Sequence, residues 1–176
     1  MKQFTGKLSL VAGLFLMLSS LSAAKTIIGA VEHTKIPFID EGIRTRIDSG
    51  AKVGAISGFD LKSFSKEGKD YISFTFESPK RHISHRFTLP VARYIHIKER
   101  RKQGSEKDSL ARRPVIILPV CLGSEVERVE LSILDRRNFM YPILLGRDAI
   151  TKFNRLIDPA EKFATKPHCS KSELTL

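Results

Sequence analysis

At 176 residues the chain is sized for one domain. Its formal net charge of +11 is spread along the sequence with no long like-charge tail, which points to anionic partners met at a surface. With only two cysteines, Cys121 and Cys169, a metal site built on cysteines alone is disfavoured, and a disulfide is left open because only geometry decides it.

Residues 1–24 read as a secretory signal peptide. Lys2 and Lys7 form a basic head, Leu8–Leu18 ("LSLVAGLFLML") a short apolar core, and Ser22-Ala23-Ala24 a small-residue cleavage site. The apolar core is shorter than the ~20 residues a membrane span needs. Cleavage after Ala24 is expected, with export to the bacterial periplasm and no stable membrane span; the alternative is an uncleaved N-terminal anchor. An exported protein rarely meets nucleic acid, so acidic peptides, acidic headgroups and anionic envelope polymers rank above it as partners.

The mature chain is mainly β. "TIIGAVEH" is rich in β-branched residues. In "GIRTRID", Ile43, Thr45 and Ile47 alternate with Arg44 and Arg46, the period of a half-buried strand. "YISFTFE" repeats the pattern with Ile72, Phe74 and Phe76 against Ser73 and Thr75. "HRFTLPVARYIHI" is extended, with Pro90 at an edge or bend. Lys98–Arg113, "KERRKQGSEKDSLARR", is nearly free of apolar residues and reads as a mobile loop or an exposed hairpin arm. Val115–Leu122 and Val126–Leu134 flank a Gly-Ser turn and read as a hairpin. "YPILLGRDAITKF" passes from a short apolar strand into one short helix after Gly146. The expected units are the signal peptide at 1–24, a barrel domain at 25–160 and a C-terminal tail at 161–176.

One stretch carries chemistry. Asp48 ends the alternating "GIRTRID" strand and is followed by Ser49, Gly50 and Ala51. A carboxylate there can emerge at a sheet edge. Ser49 can hydrogen-bond locally or across a symmetry axis, Gly50 permits a tight turn, and Ala51 leaves little bulk nearby. About a hundred residues on, "ILLGRD" is an apolar strand that breaks at Gly146 into a helix.

Together "IDSGA" and "ILLGRD" resemble the retropepsin-like aspartic peptidases. The wider set "RIDSGAKVGAISGFDL", "RPVIILPVCLG", "LSILDRRNFMYPILLGRDAI" and "RLIDP" resembles a bacterial branch often labelled ATP-dependent zinc proteases. The resemblance implies a small closed β-barrel of the acid-protease type with one short helix. It implies Asp48, Ser49 and Gly50 as the catalytic loop, Ala51 beside the substrate, and Gly146, Arg147 and Asp148 as structural support. It also implies a homodimer, because the chemistry needs two carboxylates and the chain supplies one Asp-Ser-Gly. The expected activity is therefore that of an exported, dimeric aspartic endopeptidase acting on peptides or proteins. The alternative on the same fold is a catalytically weak or inactive peptide- or anion-binding module.

The branch label is not supported by the residues. There is no G-x-x-x-x-G-K-[ST] phosphate loop and no H-E-x-x-H, so no cofactor and no metal is expected. His82 and His85 are three apart, which on a strand puts them on opposite faces. Two departures from retropepsins stand out. Where those enzymes place an acid to pair with the Arg of the Gly-Arg segment, this chain has Lys52, so Arg147 is expected to pair with Asp148 or Asp135, or to help bind an acidic ligand. In the place of a glycine-rich flap stands Lys98–Arg113. As a flap it would present Arg100, Arg101, Lys102, Lys107, Arg112 or Arg113 to a ligand, favouring acidic peptides.

Overall fold

The computed structural model describes residues 25–78, 82–98 and 110–176. The leader read at 1–24 and the arm residues Arg100, Arg101, Lys102 and Lys107 lie outside them.

Six strands close into a barrel. To name them in chain order, β1 is Ile27–Gly29, β2 Val31–Ile36, β3 Ile39–Asp48, β4 Gly54–Ser57, β5 Phe59–Lys66 and β6 Lys69–Ser78. They are followed by β7 Ile83–Pro90, β8 Arg93–Lys98, β9 Leu110–Leu122, β10 Glu125–Leu134 and β11 Ile143–Gly146. The one α-helix among the described residues, α1, is Arg147–Lys152; β12 is Leu156–Asp158, and a 3-10 turn follows at Lys171–Leu174. The ring runs β10-β4-β11-β3-β2-β9 and shuts through the β9–β10 hairpin. Closure leaves these six strands without a free edge on which another chain could add.

The sequence explains the inward face. In β3 Ile43, Thr45 and Ile47 are buried while Arg44 and Arg46 are exposed, as the alternation requires. In β6 and β7 the rings of Phe74, Phe76 and Phe87 are fully buried. Each such side chain contributes about 1.5–3 kcal/mol when removed from water. Phe74 and Phe87 stack at 5.5 Å between centroids. These strands, with the largely exposed β5, form a separate three-stranded sheet whose apolar face joins the barrel core. His85 lies in β7 and stacks on Phe38 at 4.9 Å, while His82 sits in the turn before that strand.

The β9–β10 hairpin turns at Gly123, whose φ of +63° suits a residue without a Cβ. Strand β9 extends beyond the ring and carries β8 along it, from Arg93 opposite Val115 to Lys98 opposite Leu110. The ends of the Lys98–Arg113 segment are therefore the two legs of a hairpin arm, one of the two forms the sequence left open.

A bidentate pair fastens that arm to the barrel across β9. Arg93 Nη2 lies 2.6 Å from Glu130 Oε2, and Arg93 Nε lies 3.1 Å from Glu130 Oε1. The hydrogen bonds from Arg93 hold the Glu130 carboxyl below its ordinary range. A depressed folded-state pKa contributes stability that is present above the unfolded value, about 4.3, and is lost as pH falls through the folded value. Glu130→Gln should therefore lower the melting temperature by a constant amount between about pH 5 and pH 7. That difference should shrink towards zero in stronger acid. A difference that grows in acid, in melts run across pH, would contradict the pairing.

The residues read as a tail, 161–176, run back along β2 and β9. Phe163 N–H donates to the Val31 carbonyl at 2.7 Å, and the Phe163 ring stacks on His33 at 4.4 Å. The Glu32 carboxylate is fully buried and accepts from the N–H groups of Gly29 at 2.6 Å, Ala164 at 3.0 Å and Thr165 at 3.0 Å. Three backbone donors compensate the desolvation that a buried charge suffers. Cys169 then bonds Cys121 of β9, with Cα atoms 6.1 Å apart, resolving the disulfide left open by the sequence.

Candidate active site

Asp48 is placed by two strands of the barrel. It is the last residue of β3, and the parallel pairing of β3 with β11 sets it level with Gly146. After Asp48 the chain leaves the sheet in a tight turn: Ala51 N–H donates to the Asp48 carbonyl at 3.3 Å. Asp48 Oδ1 accepts the Gly50 N–H at 2.9 Å. The carboxylate is half-buried, and Ser49 and Gly50 are exposed. One carboxylate oxygen is thus spent on orientation inside the loop, while Oδ2 has no hydrogen-bond partner among the described residues.

Gly146 and α1 support the loop from the other side. Arg147 N–H donates to the Ala51 carbonyl at 2.7 Å, and Asp148 N–H to the Lys52 carbonyl at 3.1 Å. The backbones approach so closely that a Cβ on Gly146 would sit 2.7 Å from the Val53 carbonyl carbon and 2.8 Å from the Lys52 oxygen. Arg147 differs from expectation. Its Nη1 donates to the Ser49 carbonyl at 3.0 Å, and among the described residues it pairs with neither Asp148 nor Asp135. Asp135 is engaged by Arg137, 2.7 Å from Nη2 to Oδ2. With Lys52 where an acid would stand, the arginine clamps the loop through a backbone oxygen instead. Asp148 lies exposed in the first turn of α1.

Arg136 is the residue that sequence reasoning missed. It follows β10 and is buried; its N–H donates to Ser57 Oγ at 3.2 Å and its Nε to the Tyr141 carbonyl at 3.1 Å. Burial lowers the pKa of the guanidinium from its ordinary value, the negative field of Asp48 opposes that, and the positive field of Arg113 adds to it. The guanidinium remains charged at any working pH. The available signal was the doublet Arg136-Arg137 after a strand end, where successive side chains diverge. One arginine turns out to Asp135 and the other turns in. Of the expected ligand-facing arm residues, Arg112 lies over the Tyr94 ring at 3.5 Å, and the charge of Arg113 acts on Arg136. Ala51 is half-buried beside Asp48.

A closed barrel in which an Asp-Ser-Gly loop is braced by a Gly-Arg-Asp segment defines the retropepsin-like class of aspartic peptidase folds. Residues 27–168 match the family described as "Retropepsin-like aspartic endopeptidase RimB", and the chain belongs to this RimB-like family. Among solved structures, a protein of unknown function from Legionella pneumophila is similar at 29% identity with a TM-score of 0.66, covering 81% of this chain and all of that one. Among curated proteins, one from Shewanella halifaxensis named "Probable alpha-L-glutamate ligase" is 30% identical over 144 residues, or 81% of this chain. Another of the same name from Desulfotalea psychrophila is 32% identical over 142 residues. The chain spans about 30% of the length of these curated relatives.

Proposed function

We propose that this chain is an exported aspartic endopeptidase that works as a homodimer on acidic peptides. The observation that carries the reading is the Asp48 carboxylate, half-buried at the end of β3 and oriented by the Gly50 N–H on one oxygen only. Peptide hydrolysis by this route needs two carboxylates sharing one proton, one acting as base towards a water and the other donating to the carbonyl oxygen. The second carboxylate comes from Asp48 of another copy across a two-fold axis, with Ser49 from each copy joining the loops. The water attacks the peptide carbonyl, its proton passes to the ionised carboxylate, and the tetrahedral intermediate collapses as the leaving nitrogen takes up a proton.

The family's description as an aspartic endopeptidase supports the reaction type. The substrate class draws support from two independent sides. The chain is strongly basic, and its curated relatives carry glutamate ligation in their name. Because the chain matches only about 30% of those relatives, their ligase activity is not transferred to it. What the shared segment suggests is an enzyme acting on the same kind of chain, a peptide rich in glutamate. The test is direct: purified protein is incubated with an oligo-α-glutamate peptide in mildly acidic buffer and the products are weighed by mass spectrometry. Shorter peptides that increase with the square of enzyme concentration at high dilution, where dimers dissociate, are expected. An unchanged peptide would leave a binding module.

A further inference from the structure

The six strands of the ring have no free edge, but the three-stranded sheet joined to them does. Strand β5 pairs with β6 and with no other strand among the described residues. Its hairpin turns at Glu67 and Gly68, both at positive φ, +52° and +72°, so Lys66 and Lys69 close a two-residue loop. In an antiparallel pair every second residue turns its N–H and C=O away from the partner strand. Counting back from the closing pair, those residues on β5 are Ser65 and Ser63, and their backbone groups point to the open edge.

The side chains along this edge are basic and aromatic. Lys62, Phe64 and Lys66 alternate onto one face, and the register sets Ser73, Tyr71 and Lys69 across from them. The Phe64 and Tyr71 rings stack at 5.6 Å with 12° between their planes, and Phe64 stays 44% exposed. The nearby acids are already engaged. Asp60 is held by Arg86 at 2.6 Å, and Asp70 by the Ser65 hydroxyl at 2.7 Å on the opposite face. Glu67 lies in the turn, 4.0 Å from Lys66 Nζ, with both side chains largely in water. Lys62 and Lys69 have no ion pair among the described residues.

Lysines on a free edge keep other strands from adding to it, which protects a sheet against aggregation. The same charges make the edge selective. A neutral or basic strand would leave three cations unmatched, whereas an acidic one matches them. An added strand lies about 4.8 Å from β5, with alternate side chains about 6.8 Å apart, the spacing of Lys62, Phe64 and Lys66 themselves. A polyanion without a peptide backbone would meet the lysines but leave the N–H and C=O groups of Ser63 and Ser65 unpaired. Backbone and charge together favour a peptide.

We propose that the free edge of β5 is a docking site for an extended acidic peptide, which adds as a fourth strand and sets its carboxylates against Lys62 and Lys66, with Lys69 behind them. The site requires no catalysis and does not rest on the Asp48 reading.

Hydrogen exchange and affinity test it together. Full-length protein carrying Asp48→Asn, which keeps the peptide whole, is titrated with a fluorescent oligo-α-glutamate peptide. Amide exchange at Ser63 and Ser65 should slow on binding. A fully N-methylated counterpart keeps the carboxylates but has no N–H to give, and should neither slow that exchange nor bind comparably. Replacing Lys62, Lys66 and Lys69 together by Gln should weaken the unmethylated peptide about 10-fold at low salt, and less at high salt. Slowed exchange confined to residues 48–51, equal binding of the methylated peptide, or an unchanged affinity in the triple variant would each overturn the proposal. If protein with Asp48 intact leaves the peptide uncut while β5 is protected, the docking edge stands and the peptidase reading fails. If the peptide is cut while β5 exchange is unaltered, the reverse holds.

Discussion

Asp48→Asn is expected to remove hydrolysis while leaving the folded protein intact. The substitution keeps the size of the side chain, and the amide oxygen can still accept the Gly50 N–H that Asp48 Oδ1 accepts at 2.9 Å. The loop therefore keeps its turn, and the brace from Arg147 to the Ser49 carbonyl is untouched. What is lost is a group able to take a proton from water. Positioned acid–base catalysis is worth about 10²–10⁴-fold for a single group, and here both members of the pair disappear at once. Turnover of an acidic peptide should drop by at least ~10³-fold, with the melting temperature within a few degrees of the parent. Retained activity with Asn at this position would return "IDSGA" to being a turn.

The second large effect is on the support beneath the loop. Gly146→Ala adds one carbon where the backbone of residues 51–53 already stands within 2.7–2.9 Å of the new position. Backbone cannot swing aside as a side-chain tip can, so β11 and the catalytic loop must separate. That strains the bonds from Arg147 N–H to Ala51 and from Asp148 N–H to Lys52. Overpacking of this kind costs about 3 kcal/mol, or roughly 10 °C in melting temperature for a domain of this size. Hydrolysis should fall further than stability alone explains, because the displaced segment is the one that carries Asp48. Thermal melts and peptide turnover, measured together, check both parts. A variant as stable and active as the parent would show that the close approach does not hold the site.

Elements with a local signature were legible in the sequence. The alternation of Ile43, Thr45 and Ile47 with two arginines marks a strand with one face in the core, and β3 has that pattern. A Gly-Ser turn between two apolar runs marks the β9–β10 hairpin, and Gly146 marks the passage from β11 to α1. The closure of the barrel is not local. It depends on two parallel pairings, β3 with β11 and β4 with β10, between segments tens of residues or more apart. Periodicity names the buried face of a strand but not its neighbour, which is also why the separate sheet of β5, β6 and β7 could not be drawn in advance.

The polar details were hidden for a related reason. Arg147 is satisfied by a backbone carbonyl, and every residue offers one, so no acid at a telling spacing announces it. Nothing in "TIIGAVEH" marks Glu32 as buried; it is fully buried, accepting N–H groups of Ala164 and Thr165 that return to it from far along the chain. Arg136 is hidden too, since nothing in "LDRRNF" says which arginine turns inward. Only the bonds to Ser57 and Tyr141 decide that.

Whether two copies of Asp48 make one site is decided by a mixed-dimer titration. Unmodified protein is exchanged with increasing shares of the Asp48→Asn chain at constant total concentration, and peptide turnover is followed. If both carboxylates are needed, a dimer with one asparagine is inactive and turnover follows the square of the unmodified fraction. An equal mixture then retains about one quarter of the activity. If each chain carries its own complete site, turnover falls linearly and an equal mixture retains about one half, which would contradict the shared carboxylate pair.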